Sequence, residues 1–218
     1  MIRVSPLKVG QSRWVVCAGN PINCVDPFGL ETTEQKYHRL YKDHFSSGLT
    51  GADQFLYTWR AVANTSESLG EFLTLSEALF VPGDAVPERL KQIGMFGIEY
   101  QKTDAKGKSV FARSTTTGWN KKYVDYPEYK TTEQSHHLMF YLILGFHGAN
   151  TSYNRRELRD AEKRSQKSVG ASRINTPDIT LGDDALMWGE QLRNIAGYGV
   201  DSEEFRAWFY NVQNSILK

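Results

Sequence analysis

The chain has 218 residues, 40% of them hydrophobic, which is enough for one domain of ordinary size with a real buried core. Its 26 basic and 25 acidic residues leave a formal charge of +1, so overall charge argues for neither a nucleic-acid nor a membrane partner. The two cysteines, Cys17 and Cys24, both precede Glu31, which excludes a disulfide scaffold and a cysteine nucleophile from the rest of the chain.

In chain order the first feature is Asn20 to Leu30, reading NPINCVDPFGL. Asp26-Pro27 and Gly29 form a tight-turn signal, because Pro fixes φ and Gly supplies the left-handed backbone that closes a turn. With its flanks, the segment resembles the closing segment of bacterial Rhs (rearrangement hotspot) and YD-repeat shell proteins, where Asn-Pro precedes Asp-Pro-x-Gly-Leu. Arg3, Ser5 and Pro6, followed by Trp14-Val15-Val16, resemble the preceding part of the same shell. The resemblance covers residues 1–30 and implies that they are a remnant of the shell, with residues 31–218 a variable C-terminal toxin domain. It also implies an Rhs shell as carrier and a cognate immunity protein as partner. The family's self-cleaving site draws on several acids, whereas Asp26 is the only acid here before Glu31, so cleavage after Leu30 is not expected. Residues 2–10 include Arg3 and Lys8 and no long apolar run, so no signal peptide is expected. On the resemblance, the domain is secreted or delivered into a target bacterial cell by its carrier.

Beyond Leu30 the apolar spacing is mostly helical. Tyr37, Leu40, Tyr41 and Phe45 recur at three and four residues over Glu34 to Phe45, and Phe55, Trp59 and Val62 do so over Ala52 to Ala63. Helices are expected next at Ser68 to Phe80 and Val86 to Ile93, broken at Pro82-Gly83. The period then changes: Phe96 to Lys102 and Ser109 to Arg113, joined through Asp104-Ala105-Lys106-Gly107, predict a β-hairpin. A tyrosine-rich loop, Gly118 to Lys130, leads to helices near Thr132 to Phe146, Arg155 to Gln166 and Leu181 to Asn194, and a last one at Glu203 to Ile216. The longest apolar run, Leu138 to Phe146, falls short of the roughly twenty residues that a transmembrane helix needs, and reads as a buried helix. The expected fold class is therefore mainly α (α+β), a helical domain interrupted by one small β-hairpin.

Three features carry candidate chemistry. Thr131 and Gln134 have capping-box spacing, which starts a helix with Glu133 in its first turn and His136 and His137 just beyond. The positive end of a helix dipole disfavours an imidazolium, and a neutral imidazole can act as a general base, with Glu133 four residues before His137 to orient it. The same spacing fits a structural role, with His136 exposed and His137 a polar cap on a buried helix. No metal site is expected: no His-x-x-x-His pair occurs, and His136 and His147, at about 1.5 Å of rise per residue, stand about 16 Å apart.

The second feature is Asp178. Thr180 reads as the cap of the helix near Leu181 to Asn194, with Asp183 and Asp184 in its first turn, which leaves Asp178 outside without a local structural task. Gln134-x-x-His137 and Asp178-x-x-Leu181-Gly182 together resemble a pattern in uncharacterised tails of other Rhs proteins, and that likeness implies no activity. The third feature is basic and aromatic. Arg155, Arg159, Lys163 and Lys167 recur every four residues, while Tyr123, Tyr126 and their neighbours Trp119, Lys121, Lys122, Tyr129 and Lys130 interleave rings with cations. Such a set can track phosphates and stack bases; it can equally stack on sugar faces, or be a solvated helix face and a loop packed on the core.

These readings leave an enzymatic toxin using His137, with Asp178 and His136 or Glu133, for acid–base chemistry on a nucleic acid or nucleotide. Gln134 would position the substrate, Arg155, Arg159, Lys163, Tyr123 and Tyr126 would bind it, and no cofactor is called for. The alternatives are a cell-wall (peptidoglycan) hydrolase with Glu71, Glu77 or Glu99 as general acid and Asp104 near the hairpin turn, and a non-enzymatic interaction domain that binds through the tyrosine loop.

Overall fold

The computed structural model describes residues 31–82, 105–106, 111–112, 115–126, 129, 134–168 and 174–217. Residues Thr33–Lys218 form one unit by themselves. Among the described residues the α-helices are α1 (Thr33–Ser46), α2 (Gly51–Thr65), α3 (Leu69–Phe80), α4 (Gln134–Phe146), α5 (Ser152–Ser168), α6 (Thr176–Asn194) and α7 (Glu203–Leu217), with a 3-10 turn at Lys121–Tyr123. The mainly α class stands. Most of the expected hairpin, the helix expected at Val86 to Ile93, the capping residue Thr131 and the shell-like segment 1–30 lie outside the described residues; Phe111 and Ala112, which are described, are buried in irregular backbone.

The first three helices follow their apolar stripes. Tyr37 and Leu40 of α1, Phe55, Trp59 and Val62 of α2, and Phe72, Leu75 and Leu79 of α3 are buried together. Ser68 caps α3 by accepting from the Glu71 backbone N–H at 3.1 Å, and Glu71 returns the bond by accepting from the Glu67 N–H at 2.8 Å. The same carboxylate takes the Lys36 ammonium at 2.9 Å, which ties α1 to the start of α3. Beyond the stripes, an aromatic cluster fixes α7 onto this layer: the Trp59 ring lies 4.6 Å from Phe209 and 5.9 Å from Phe72, in the offset geometry that aromatic quadrupoles favour. Two of the buried indoles have their N–H satisfied, Trp59 by Ser76 Oγ and Trp208 by the Trp188 carbonyl, whereas Trp119 Nε1 has no partner among the described residues.

The loop before α4 is part of this core. Trp119 and Tyr123 are buried, and Asn120 accepts from the Lys122 N–H while its amide donates to the Ser215 carbonyl at the end of α7. Of the roles open to the cation-and-ring segment, packing on the core is the one that Trp119 and Tyr123 have.

α4 is the central helix. Nine of its residues are buried, and α6 packs along it more extensively than any other pair of elements. Glycines permit the closeness: a Cβ on Gly145 would stand 2.1 Å from the Leu186 carbonyl oxygen, and one on Gly189 would stand 2.0 Å from that of Leu142. The two backbones therefore touch, which no larger residue allows. The contacts run from His137 against Gly182 to Leu142 and Phe146 against Gly189, so the helices run in the same sense and their N-terminal ends meet.

Candidate active site

Where the two helix starts meet, His137 Nδ1 lies 3.3 Å from Asp178 Oδ1. The side chains are 15% and 17% exposed, so the pair sits at the rim of the core rather than in open water. α6 begins earlier than its sequence suggests. Asn175 is the N-cap residue, Pro177 occupies the first turn, and Thr180 donates its hydroxyl to the Thr176 carbonyl within the helix instead of capping it. Proline is well tolerated in the first turn, where its missing N–H leaves no helical bond unmade. Asp178 is accordingly in the first turn, where the helix dipole already favours a carboxylate. Its acidity has this local reason in addition to its histidine.

The pairing sets the chemistry available. With Nδ1 donating to Asp178, the proton of a neutral His137 is held on that nitrogen and the lone pair is left on Nε2. Nε2 is buried and faces Gly182, where a Cβ would stand 3.2 Å away; the Tyr141 ring, 4.6 Å from the imidazole, would be equally crowded. His137, Tyr141 and Gly182 line a small hollow whose remaining wall is Leu158, Arg159, Ile179, Asp183 and Leu186. Its volume of about 10 Å³ holds about one water molecule.

Arg159 reaches this hollow from α5. Its Nε lies 3.0 and 2.8 Å from the two oxygens of Asp183, with Nη2 2.6 Å from one of them. Hydrogen bonding to that carboxylate raises the already high pKa of the guanidinium. Arg155 and Lys163 of the basic stripe have other partners. Arg155 bonds the side chain of Asn150, and Lys163 is exposed with Asp160 at 3.6 Å.

The other expected site residues divide clearly. Gln134 is buried at 1% exposure, and among the described residues its Oε1 has no hydrogen-bond partner. His136 is half-buried with its ring edge against Phe111 and Phe140, away from the Asp178 pairing. Glu133 lies outside the described residues. Tyr123 cannot stack on a substrate, because its ring has no exposed surface and its hydroxyl donates to Asp184 at 2.6 Å. Tyr126 is half-buried, and its backbone N–H donates to the Asn175 side chain at 3.4 Å.

The site also has supports that its sequence pattern does not announce. Asp125, Gln166 and Asn175 form a buried polar cluster at the mouth of α6: Asn175 donates its amide to Asp125 and its backbone N–H to Gln166, each at 2.8 Å. This locks the N-terminus of α6, and hence Asp178, in place. Gly182, Ala185 and Gly189 share the face of α6 turned to α4. Interior glycines cost a helix stability, so their spacing of three and four was the one available signal for a close helix crossing. Among the described residues no group of three or more His, Cys, Asp or Glu is placed to hold a metal ion. No family model matches the chain, and no curated protein or solved structure is similar to it.

Proposed function

We propose that residues 31–218 are the C-terminal effector domain of an Rhs-type polymorphic toxin and that they act by His137–Asp178 acid–base chemistry on a nucleic acid or nucleotide. The origin rests on NPINCVDPFGL, and the carrier shell, delivery into a target bacterium and a cognate immunity protein follow from it. The chemistry rests on one observation, the 3.3 Å approach of His137 Nδ1 to Asp178 in a hollow that also receives Arg159. Nε2 takes a proton from a hydroxyl or water nucleophile, Asp178 stabilises the resulting imidazolium, and the imidazolium returns the proton to the leaving oxygen. Arg159 meets the phosphate charge. In the cell-wall reading Glu71 would serve as an acid, but here it is committed to Lys36, Thr33 and the cap of α3. Glu77 is buried on α3, and Glu99 and Asp104 lie outside the described residues.

The test is expression of the full chain in the cytoplasm of a sensitive bacterium, and separately with export to the periplasm. Killing from the cytoplasm is expected. His137→Ala should lower activity by about 10²–10⁴-fold while the melting transition stays within a few degrees. Killing only from the periplasm would transfer the reading to the cell wall, and harmlessness of folded protein in both compartments would end the toxin assignment.

A further inference from the structure

The hollow beside His137 admits about one water, so a phosphate group seated inside it has to displace part of its wall. Most of that wall is fixed. Tyr141 and Leu186 belong to the core, and Gly182 is pressed against the His137 and Tyr141 rings. The polar part of the wall is different: Arg159 and Asp183 have side chains 45% and 20% exposed, and water-accessible ion pairs of this kind are only weakly stabilising.

We propose that Asp183 stands in for the substrate's phosphate: its carboxylate holds the guanidinium fork of Arg159 in the closed site, and a phosphate group of the ligand takes its place when the site opens. This rests on the nucleotide reading above. The fork is the supporting geometry, since two carboxylate oxygens within 3.0 Å of one guanidinium present the pattern that two phosphate oxygens would present. The neighbouring acids of α6 have other duties. Asp178 belongs to His137, and Asp184 is held at once by Lys122 at 3.0 Å and Tyr123 at 2.6 Å. Asp183 is the acid of the three whose side chain both lines the hollow and bonds the arginine. The two neighbours of Arg159 in the basic stripe, Arg155 and Lys163, do not line it. An anion bound at Arg159 would then lie across the hollow from His137 Nε2, where a proton-transfer group is needed.

The experiment is a titration of the full chain with inorganic phosphate and with a nucleoside monophosphate at constant ionic strength. It follows the Arg159 Nε–H and His137 ring resonances by NMR. Both resonances should move with one dissociation constant. Asp183→Asn should tighten binding roughly fivefold, the order of an exposed ion pair's contribution. Arg159→Ala should abolish binding, and Lys163→Ala should leave it within twofold. Binding that survives Arg159→Ala, or that Asp183→Asn leaves unchanged, overturns the proposal. If Asp183→Asn does not fold, the wild-type titration still decides, because ligand-independent Arg159 Nε–H and His137 resonances are equally fatal. His137→Ala separates this proposal from the one it rests on. Retained phosphate binding with retained killing would overturn the acid–base assignment and leave the anchor standing.

Discussion

Tyr123 lies at the middle of the cation-and-ring segment, yet its hydroxyl is spent inside the protein on Asp184. Burial, the hydrogen bond to that carboxylate and its charge, in that order, push the phenol well above its ordinary value of 10.0. The sign of the linkage is fixed. The folded state holds this proton more tightly than the unfolded chain, so the stabilisation is complete below about pH 10 and is lost as pH rises from there toward the folded value. Tyr123→Phe should cost about 1–2 kcal/mol at pH 7, the order of a hydrogen bond to a charged group, and should flatten the fall in stability above pH 10. Urea unfolding of both proteins at pH 7 and pH 10.5 checks it, and an unchanged alkaline slope would refute the linkage. The approach of His137 to an acidic partner was legible in the sequence, and the burial of Tyr123 was not. A polar ring at the start of an almost wholly apolar helix must find a partner, whereas a tyrosine among lysines is compatible with either a wet or a buried ring.

At the scale of elements, the site depends on α4 and α6 crossing at backbone contact. Gly189 is where this can be measured. In an exposed helix interior Gly→Ala gains about 1 kcal/mol from propensity alone. Here the new methyl would stand 2.0 Å from the Leu142 carbonyl oxygen and 2.6 Å from the Phe146 nitrogen, both backbone atoms that cannot swing aside. Gly189→Ala should therefore destabilise the protein by about 1–3 kcal/mol, the usual cost of overpacking, and a gain in melting temperature would show that the helices are not in contact. Gly182→Ala is the gentler probe. Its methyl would meet side-chain rings at 3.2–3.3 Å, so activity should fall while stability changes by less than about 1 kcal/mol. Most helices here were legible because their stripes repeat at three and four residues. α6 was misplaced at its start because Pro177 and Thr180 read equally well as loop and cap, and the contact between Asn175, Asp125 and Gln166 that fixes its true beginning is made across the fold.

For the whole molecule, the decisive feature is one continuous core that draws on every helix from α1 to α7 except α5, which adds Leu158 at its edge. Local periodicity announces each stripe but not how the stripes assemble. Nothing in the spacing of Trp59 says that Phe209, from the last helix, will be its ring partner at 4.6 Å. That long-range closure bears on where the folding unit begins. Near its start, Thr33 Oγ1 reaches Glu71 at 3.0 Å and Lys36 reaches Glu71 and Glu67 at 2.9 and 3.2 Å. The core residues themselves begin at Tyr37. A chain that starts at Glu31 keeps all of these groups and loses both cysteines. It should melt in a single cooperative transition within about 2–4 °C of the full chain, the shift that roughly 1 kcal/mol produces at this size. Calorimetry of the two proteins side by side is the measurement. A broad, non-cooperative transition in the shorter chain would mean that residues before Glu31 belong to the folding unit, and would count against reading them as the remnant of a separate shell.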